Sequence, residues 1–319
     1  MFTFIDLFAG IGGFRIGLER LGGQCLFSSE IDTHARATYE RNFGHLPAGD
    51  IRKIDALEVP AHDVLCGGFP CQPFSISGKR LGFEDARGTL FFEVMRLVEH
   101  HKPKAVFLEN VANYQTHQGG ETLKRTLGML REAGYEVCSE VLNASNYGVP
   151  QARKRLYIVG IRKDLEGTNS FSFPVGTQRK VSLKEYLVSG LPIDQVRIDR
   201  EDQEIYKTDV SKEVERRPNK PIQIGKINKG GQGERIYSIE GHAITLSAHG
   251  GGAAAKTGAY LVDGVVRKLH PQECCRLMGF PDTYKIDPRP SQAYKQFGNA
   301  VVADVIEAIG KQVVAAIGI

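Results

Sequence analysis

Cys71 is the strongest candidate for chemistry in this sequence. It lies in the stretch GGFPCQPFSISGK, residues 67–79, directly after an apolar run typical of a strand. A thiol in such a loop can be a buried hydrophobe, half of a disulfide, or a nucleophile in its thiolate form. The sequence contains no C-x-x-C pair, which is the spacing typical of zinc and redox sites. We therefore expect no metal at this loop.

Three further stretches carry groups that could act beside this thiol. Glu109 ends the apolar run AVFLE. A partly buried carboxylate there would have a raised pKa and could act as an acid. Taken singly, it could equally be a carboxylate that caps a helix or ends a strand. Arg153 and Arg155 alternate in QARKR and suit a phosphate, a carboxylate or a base edge. Alternatively, their charges only guard an exposed edge strand against pairing with another strand. Asn299 in QFGNAVV is expected by default to cap the last helix.

A glycine turn at Gly10, Gly12 and Gly13 is a candidate ligand-binding turn. It follows the strand-like run FTFIDLF and precedes a predicted helix, whose free N–H groups would face it. The spacing is not the full G-x-G-x-x-G. Glu30, however, ends the second predicted strand, where an acidic side chain accepts hydrogen bonds from ribose hydroxyls. The pattern favours a nucleoside-containing ligand over a purely structural turn.

The composition places few limits on function. The chain has 319 residues, six cysteines and a formal net charge of +4, which is compatible with a nucleic-acid partner without requiring one. A chain of this length needs no disulfide framework, so we expect reduced cysteines, with Cys66 buried in its strand. The apolar N-terminus includes Asp6 and lacks a basic lead, and no run reaches the ~18 apolar residues of a membrane span. We expect a cytoplasmic protein with no membrane partner.

The elements that must position these groups alternate between strands and helices over roughly the first half of the chain. The predicted strands are FTFIDLF, QCLFSSE, HDVLCGG, KAVFLEN, EVCSEVLNA and KRLYIVGI, and the predicted helices are GFRIGLERLG, THARATYERNF, GTLFFEVMRLVEHH and ETLKRTLGMLREAG. This rhythm predicts an α/β fold with a doubly wound, mostly parallel sheet. Carboxyl ends of parallel strands meet at one edge, so Cys71 and Glu109 should lie there. The loop after Cys71 is long enough to suggest a lid.

The rhythm changes in the second half. Residues 188–270 contain short strand-like runs such as AITLSA and AYLVDG, and the glycine-dense stretches KGGQGERIYS and HGGGAAAKTGAY, which are typical of recognition loops and of flexible linkers alike. Helical patterns return in HPQECCRLMGF and VADVIEAIGKQVVAAI. We predict a domain of residues 1–187 that is completed by residues 271–319, with residues 188–270 as a smaller, mainly β insertion.

Taken in order, these motifs resemble the cytosine-5 DNA methyltransferase family. The resemblance runs through FIDLFAGIGGF, GFPCQPFS, ENV, QARKR, RKLHPQECCRLMGFPD and QFGNAVV. It implies a Rossmann-like fold, S-adenosyl-L-methionine as cofactor, double-stranded DNA as partner and a target-recognition domain at 188–270. That segment is similar to a bacterial member of the family that modifies GCGC, which implies the same target within a restriction-modification system. The family also implies a monomer that is nucleoid-associated while acting, with a cognate restriction endonuclease as a functional rather than physical partner.

The resemblance assigns a role to each matching residue. Cys71 would attack C6 of a flipped cytosine, Glu109 would hold the N3 edge, and Arg155 would assist at O2 with Arg153 nearby. Residues expected at the cofactor are Phe8, Gly10, Gly12, Gly13, Glu30, Ile31, Asp50, Ile51, Pro70 and Asn299. Residues expected at DNA are Ser77 on the lid, Gln232, Arg235, Thr245, Gly251 and Gly252.

Several positions differ from that bacterial relative, among them Ile31, His249 and Ala300, where the relative has tryptophan, tyrosine and serine. The chain contains no Trp, so adenine packing at Ile31 would be aliphatic. Three alternatives remain: a tRNA cytosine-5 methyltransferase, a catalytically inactive DNA-binding relative, and an unrelated dinucleotide enzyme. The intact Cys71 and Glu109 argue against an inactive protein, and the glycine-rich insertion favours duplex DNA.

Overall fold

The computed structural model describes residues 1–70, 90–165, 170–177 and 179–318. Cys71, Ser77 and the loop predicted to form a lid lie outside the described residues.

A six-stranded sheet forms the centre of the larger part of the protein. Its strands are β1 (Phe2–Leu7), β2 (Gly23–Ser29), β3 (Val64–Gly68), β4 (Ala105–Val111), β5 (Tyr135–Asn143) and, after the short β6 (Gln151–Ala152), β7 (Lys154–Arg162). The order across the sheet is β2-β1-β3-β4-β7-β5, and β1, β2, β3 and β4 pair in parallel. Strand β7 runs antiparallel to both neighbours. The connection from β5 to β7 is shorter than the dozen or so residues that a parallel crossover needs.

Helices cover both faces of this sheet, as the sequence predicts. In chain order, the described helices are α1 (Gly13–Glu19), α2 (Thr33–Phe43), α3 (Leu90–His101), α4 (Glu121–Glu132), α5 (Val210–Arg216), α6 (Pro271–Leu277), α7 (Pro290–Asn299) and α8 (Ala303–Ala316). Helix α5 is the exception, because it packs against the core of the second sheet described below. Successive strand side chains point to opposite faces. Thus Phe4 belongs to the core beneath α1 and α8, whereas Ile5 belongs to the core beneath α3 and α4. Asp32 caps α2 by accepting hydrogen bonds from the backbone N–H groups of His34 and Ala35.

A second sheet forms a smaller, mainly β part with its own isoleucine-rich core. Its strands are β8 (Gln203–Ile205), β9 (Gln223–Ile227), β10 (Arg235–Ser238), β12 (Ala259–Val262) and β13 (Val265–Arg267), in the order β13-β12-β10-β9-β8. Of the predicted strand AITLSA, only β11 (Ala243–Ile244) forms a strand, and it pairs with β6 instead of joining this sheet. Helix α5 was not predicted from the sequence.

The default expectation that Asn299 caps the last helix is wrong. Asn299 is the final residue of α7, which has a proline in its first turn, and Val302 is the N-cap residue of α8. Proline fits the first turn of a helix because its missing N–H would be unpaired there in any case. The sequence stretch before Asn299 is therefore a helix, and Asn299 lies at its exposed carboxyl end.

Candidate active site

A cavity of about 570 Å³ lies at the carboxyl edge of the six-stranded sheet. Phe8 follows β1, Glu30 follows β2, Pro70 follows β3, Glu109 lies in β4, and each of them lines this cavity. Helix α7 closes another side with Asn299. The parallel strands β1 to β4 bring these residues together because their carboxyl ends meet at one edge.

Glu109 and Arg155 form an ion pair in the cavity wall. The distance from Arg155 Nε to Glu109 Oε1 is 3.0 Å, and Glu109 is only 9% exposed. Burial raises the pKa of the Glu109 carboxyl, while the charges of Arg155 and then Arg153 act in the opposite direction. A carboxyl with a raised pKa holds its proton closer to neutral pH and can donate it to a bound group.

Arg153, which the resemblance placed near the catalytic atoms, lies behind the cavity wall. Its guanidinium donates hydrogen bonds to the carbonyl oxygens of Leu246 at 2.8 Å, Gly298 at 2.9 Å and Ala300 at 2.6 Å. Burial, together with the neighbouring Arg155 charge, lowers the pKa of Arg153 to about 9. The three carbonyls belong to the segment after β11 and to the end of α7. Arg153 therefore ties these two segments together.

Glu30 links the glycine turn to the wall of the cavity. Its carboxylate accepts hydrogen bonds from the backbone N–H groups of Gly10 at 2.8 Å and Asp32 at 2.7 Å, one on each oxygen. A carboxylate has about four acceptor positions, so it can still accept from ligand hydroxyls. Burial raises the pKa of Glu30, and the two backbone N–H groups counteract this effect.

The three glycines of the turn have different surroundings. Gly10 lines the cavity and has φ +55°. Gly12 and Gly13 lie behind it: a Cβ at Gly12 would overlap the Phe43 ring, and a Cβ at Gly13 would lie 2.7 Å from a methyl group of Val301. The latter two glycines are thus needed for close packing.

The other residues expected at the cofactor also line the cavity. Ile31 is 65% exposed at its rim, and Ile51 is buried in its wall. Asp50 caps the turn that begins at Ile51 and pairs with Arg52 at 2.6 Å between Oδ2 and Nη2, which lowers the pKa of the Asp50 carboxyl. The cavity therefore presents both apolar surface and carboxylate acceptors.

Lys295 and Asn110 are among the cavity residues that the sequence analysis did not identify. Lys295 Nζ lies 2.7 Å from Asp32 Oδ2, so it joins α7 to the turn that carries Glu30. Asn110, next to Glu109, donates from Nδ2 to the backbone oxygen of Phe69 at 2.8 Å. Lys295 is four residues before Asn299 on one helix face, and that spacing would have indicated it had α7 been predicted.

The residues expected at DNA lie in the smaller part and at its border. Gln232, Gly251 and Gly252 are exposed on two loops at one end of the second sheet, and Arg235 is exposed at the start of β10, directly after the first of these loops. Thr245 follows β11 and donates a hydrogen bond from its hydroxyl to the carbonyl oxygen of Ala152. Thr245 therefore helps to hold the border between the two parts.

Comparisons with known proteins agree with this arrangement. Residues 2–315 match the family model of C-5 cytosine-specific DNA methylases. The chain is 51% identical to the type II methyltransferase M.HhaI of Haemophilus parahaemolyticus, over 96% of this chain and 92% of that protein. It is 44% identical to the type II methyltransferase M.HpaII of Haemophilus parainfluenzae, over 99% of this chain and 90% of that protein.

Solved structures share the fold at low sequence identity. A crystal structure of the S. pombe Dnmt2 methyltransferase superposes with a TM-score of 0.77 at 17% identity, covering 100% of both chains. A putative DNA modification methyltransferase encoded within an E. coli prophage gives a TM-score of 0.72 at 22% identity, again over 100% of both chains.

Proposed function

The chain belongs to the C-5 cytosine-specific DNA methylase family, and from that premise we propose that it methylates cytosine within GCGC, with Cys71 as nucleophile and S-adenosyl-L-methionine as methyl donor. The chain is a DNA cytosine-5 methyltransferase of the type found in restriction-modification systems. The observation that carries the proposal is the buried Glu109–Arg155 pair at the end of β4, beside the strand β3 that leads to Cys71. The GCGC target rests on the resemblance of residues 188–270.

The cavity fits S-adenosyl-L-methionine by the chemistry of its walls. Glu30 offers acceptors to ribose hydroxyls, and Asp50 offers an acceptor to the adenine amine. Apolar surface for the adenine ring comes from Phe8, Ile31 and Ile51. Gly10 and Asn299 would border the cofactor, as would Pro70. When bound, the cofactor supplies the methyl group.

The nucleophilic step belongs to Cys71. Its thiolate would add to C6 of a cytosine flipped out of the duplex, which makes C5 electron-rich. After C5 has accepted the methyl group, its proton leaves, the bond from Cys71 to C6 breaks and the 5,6 double bond returns. A thiolate serves both steps because it is a good nucleophile and a competent leaving group.

Glu109 and Arg155 would stabilise the charge that develops on the ring. The raised pKa of Glu109 lets its carboxyl donate a hydrogen bond to N3 as negative charge grows there. Arg155, held 3.0 Å from Glu109 and facing the cavity, would donate to O2. Arg153 acts as a positioning residue, since its guanidinium is bound to three backbone carbonyls.

Residues 188–270 would form the target-recognition domain, with residues 1–187 and 271–319 as the catalytic domain. The exposed loops with Gln232, Gly251 and Gly252 would meet the duplex, together with Arg235 at the start of β10 and with Ser77. An arginine can donate two hydrogen bonds to guanine in the major groove, which suits Arg235. We expect a monomer. Its restriction endonuclease would recognise the same target sequence but would not bind to the methyltransferase. In the part of the chain that the structure describes, no helix has both the length and the apolar composition of a membrane span.

One experiment tests this function against an RNA substrate. Purified protein is incubated with tritiated S-adenosyl-L-methionine and, separately, with a GCGC duplex, the same duplex with one pair of the site exchanged, and tRNA. We expect label at C5 of cytosine in the GCGC duplex alone. Equal label on both duplexes would contradict the GCGC target, and label on tRNA alone would contradict DNA as the substrate.

A further inference from the structure

Two loops of the smaller part approach each other more closely than side chains would allow. The first loop, residues 228–234, carries Gln232, and the second loop, residues 247–256, carries the triple glycine. Gly233 has φ +78° and Gly252 has φ +89°, a region that residues with a side chain rarely adopt. Both glycines lie where the two loops meet.

The meeting point is a contact of backbone on backbone. A Cβ at Gly252 would lie 2.8 Å from the carbonyl oxygen of Gly233, and a Cβ at Gly233 would overlap the carbonyl oxygen of Gly251. The N–H of Ala254 donates to the same Gly233 oxygen at 2.9 Å. No side chain can be added to either glycine without moving one loop away from the other.

Each loop has further attachments that fix the position of the pair. Within the first loop, the Glu234 carboxylate accepts hydrogen bonds from Gly231 N and Asn228 Nδ2, both at 3.0 Å. The second loop is attached to the larger part, where a Cβ at Gly298 would overlap the backbone of Ser247 and Ala248. Besides the strands β9 and β10 that it joins, the first loop is therefore connected to the larger part through the second loop.

We propose that Gly233 and Gly252 form a backbone joint that makes the two loops a single recognition element, so that base reading by either loop depends on both. This inference rests on the proposed function, in which both loops meet the duplex. It assigns specificity to two residues that need touch no base, because hydrogen bonding to base edges requires the loops to be placed within fractions of an ångström.

The test compares Gly233→Ala, Gly252→Ala and the double variant on a GCGC duplex and on duplexes with one exchanged pair. Each single change should lower the ratio of kcat/KM between cognate and exchanged duplexes about tenfold, the size of one lost base-specific contact. The double variant should lose no more than the worse single variant, since both changes break one joint. Losses that multiply to about a hundredfold would show independent loops and overturn the proposal.

The matched control is Gly128→Ala, since Gly128 lies in α4 with open space around it. It should leave both kcat/KM values unchanged, and the affinity for S-adenosyl-L-methionine should stay within about twofold of the parent in every variant, as expected for sites with no shared partners. A parent protein that does not prefer GCGC would contradict the proposed function. If the parent prefers GCGC but the losses of the two single variants multiply in the double variant, only the proposed joint is contradicted.

A second measurement does not depend on the variants folding. In the parent protein without DNA, the amide of Ala254 should exchange its hydrogen about a hundredfold more slowly than an unstructured amide, because it donates to Gly233 across the joint. Exchange at the unstructured rate would show that the joint is not formed and would overturn the proposal.

Discussion

Asn110 Nδ2 donates a hydrogen bond of 2.8 Å to the backbone oxygen of Phe69, two residues before Cys71. Asn110 is buried, and its Oδ1 accepts from the N–H of Val111 at 2.8 Å. Asn110, next to the proposed acid Glu109, thus holds the backbone at Phe69, which leads to the proposed nucleophile Cys71. Two neighbouring residues of β4 therefore connect the two proposed catalytic groups.

Asn110→Ala should therefore lower kcat more than it weakens cofactor binding. Removal of the amide leaves a buried carbonyl without its donor, which costs about 1–3 kcal/mol, and the loop entrance loses its anchor. We expect kcat to fall at least about tenfold, since misplacement of a reacting group by about 1 Å can cost a hundredfold. The control is Asn113→Ala, an exposed amide just after β4. Equal kcat in both variants would show that Asn110 does not position Cys71.

The variant Glu109→Gln tests whether Glu109 acts as the acid in methyl transfer. The amide keeps the shape of the carboxyl but carries no titrating proton, so methyl transfer should fall about 100- to 10,000-fold. Because burial raises the pKa of Glu109, its protonated form survives to higher pH than that of an exposed glutamate, and kcat/KM of the parent should decline as pH rises through that pKa. The decline should be missing from the pH profile of Glu109→Gln. A decline of the same size in both proteins would assign it to another group.

Arg153→Lys tests the positioning role of Arg153. An ammonium cannot donate along the directions of three separate carbonyls, and buried acceptors left unpaired cost about 1–3 kcal/mol each. We expect the free energy of unfolding to fall by about 2–4 kcal/mol in urea titrations. Lys154→Ala, at the exposed neighbouring position, should change it by less than about 0.5 kcal/mol. A stable Arg153→Lys protein with abolished kcat would instead place Arg153 at the substrate.

His62 should make the fold sensitive to acid. Burial lowers the pKa of His62 to about 4, and its Nδ1 bonds to the carbonyl oxygen of Pro60 at 2.8 Å. In the unfolded chain, His62 binds a proton as the pH falls through 6.5, the ordinary histidine pKa, whereas in the folded chain it does so only near pH 4. The stability that a neutral His62 contributes is thus present above pH 6.5 and is lost as pH falls toward 4, by up to about 3 kcal/mol.

His62→Asn keeps a donor to Pro60 without a titrating ring. Its free energy of unfolding should fall less steeply between pH 6.5 and 4 than that of the parent. Identical slopes for the parent and His62→Asn would remove His62 from the acid response.

Local patterns were enough to predict most of the sheet. The apolar runs of β1 to β4 are set by short-range preferences, and they place Glu30 and Glu109 correctly at one edge. The burial of Cys66, at the centre of β3, is also confirmed. These features depend on residues close together in the chain.

Features that depend on distant segments were not predicted. Arg153 binds carbonyls of residues 246, 298 and 300, and Lys295 reaches Asp32 across the cavity. Both contacts join segments that lie far apart in the chain, so the residues around Arg153 or Asp32 do not reveal the partner. The approach of Gly233 to Gly252 is of the same kind, because glycine density indicates a turn but not its neighbour. Tertiary packing decides these positions.

The most direct test of the account is to trap the bond between Cys71 and cytosine. A GCGC duplex with 5-fluorocytosine at the target position cannot release fluorine as a cation, so elimination of the thiol is blocked after methyl transfer. In the presence of S-adenosyl-L-methionine, we expect a denaturation-resistant complex whose peptide map places the DNA on Cys71, and no complex with Cys71→Ser. Methylation of the ordinary GCGC duplex with no adduct on the fluorinated duplex, or an adduct on another residue, would contradict attack by Cys71.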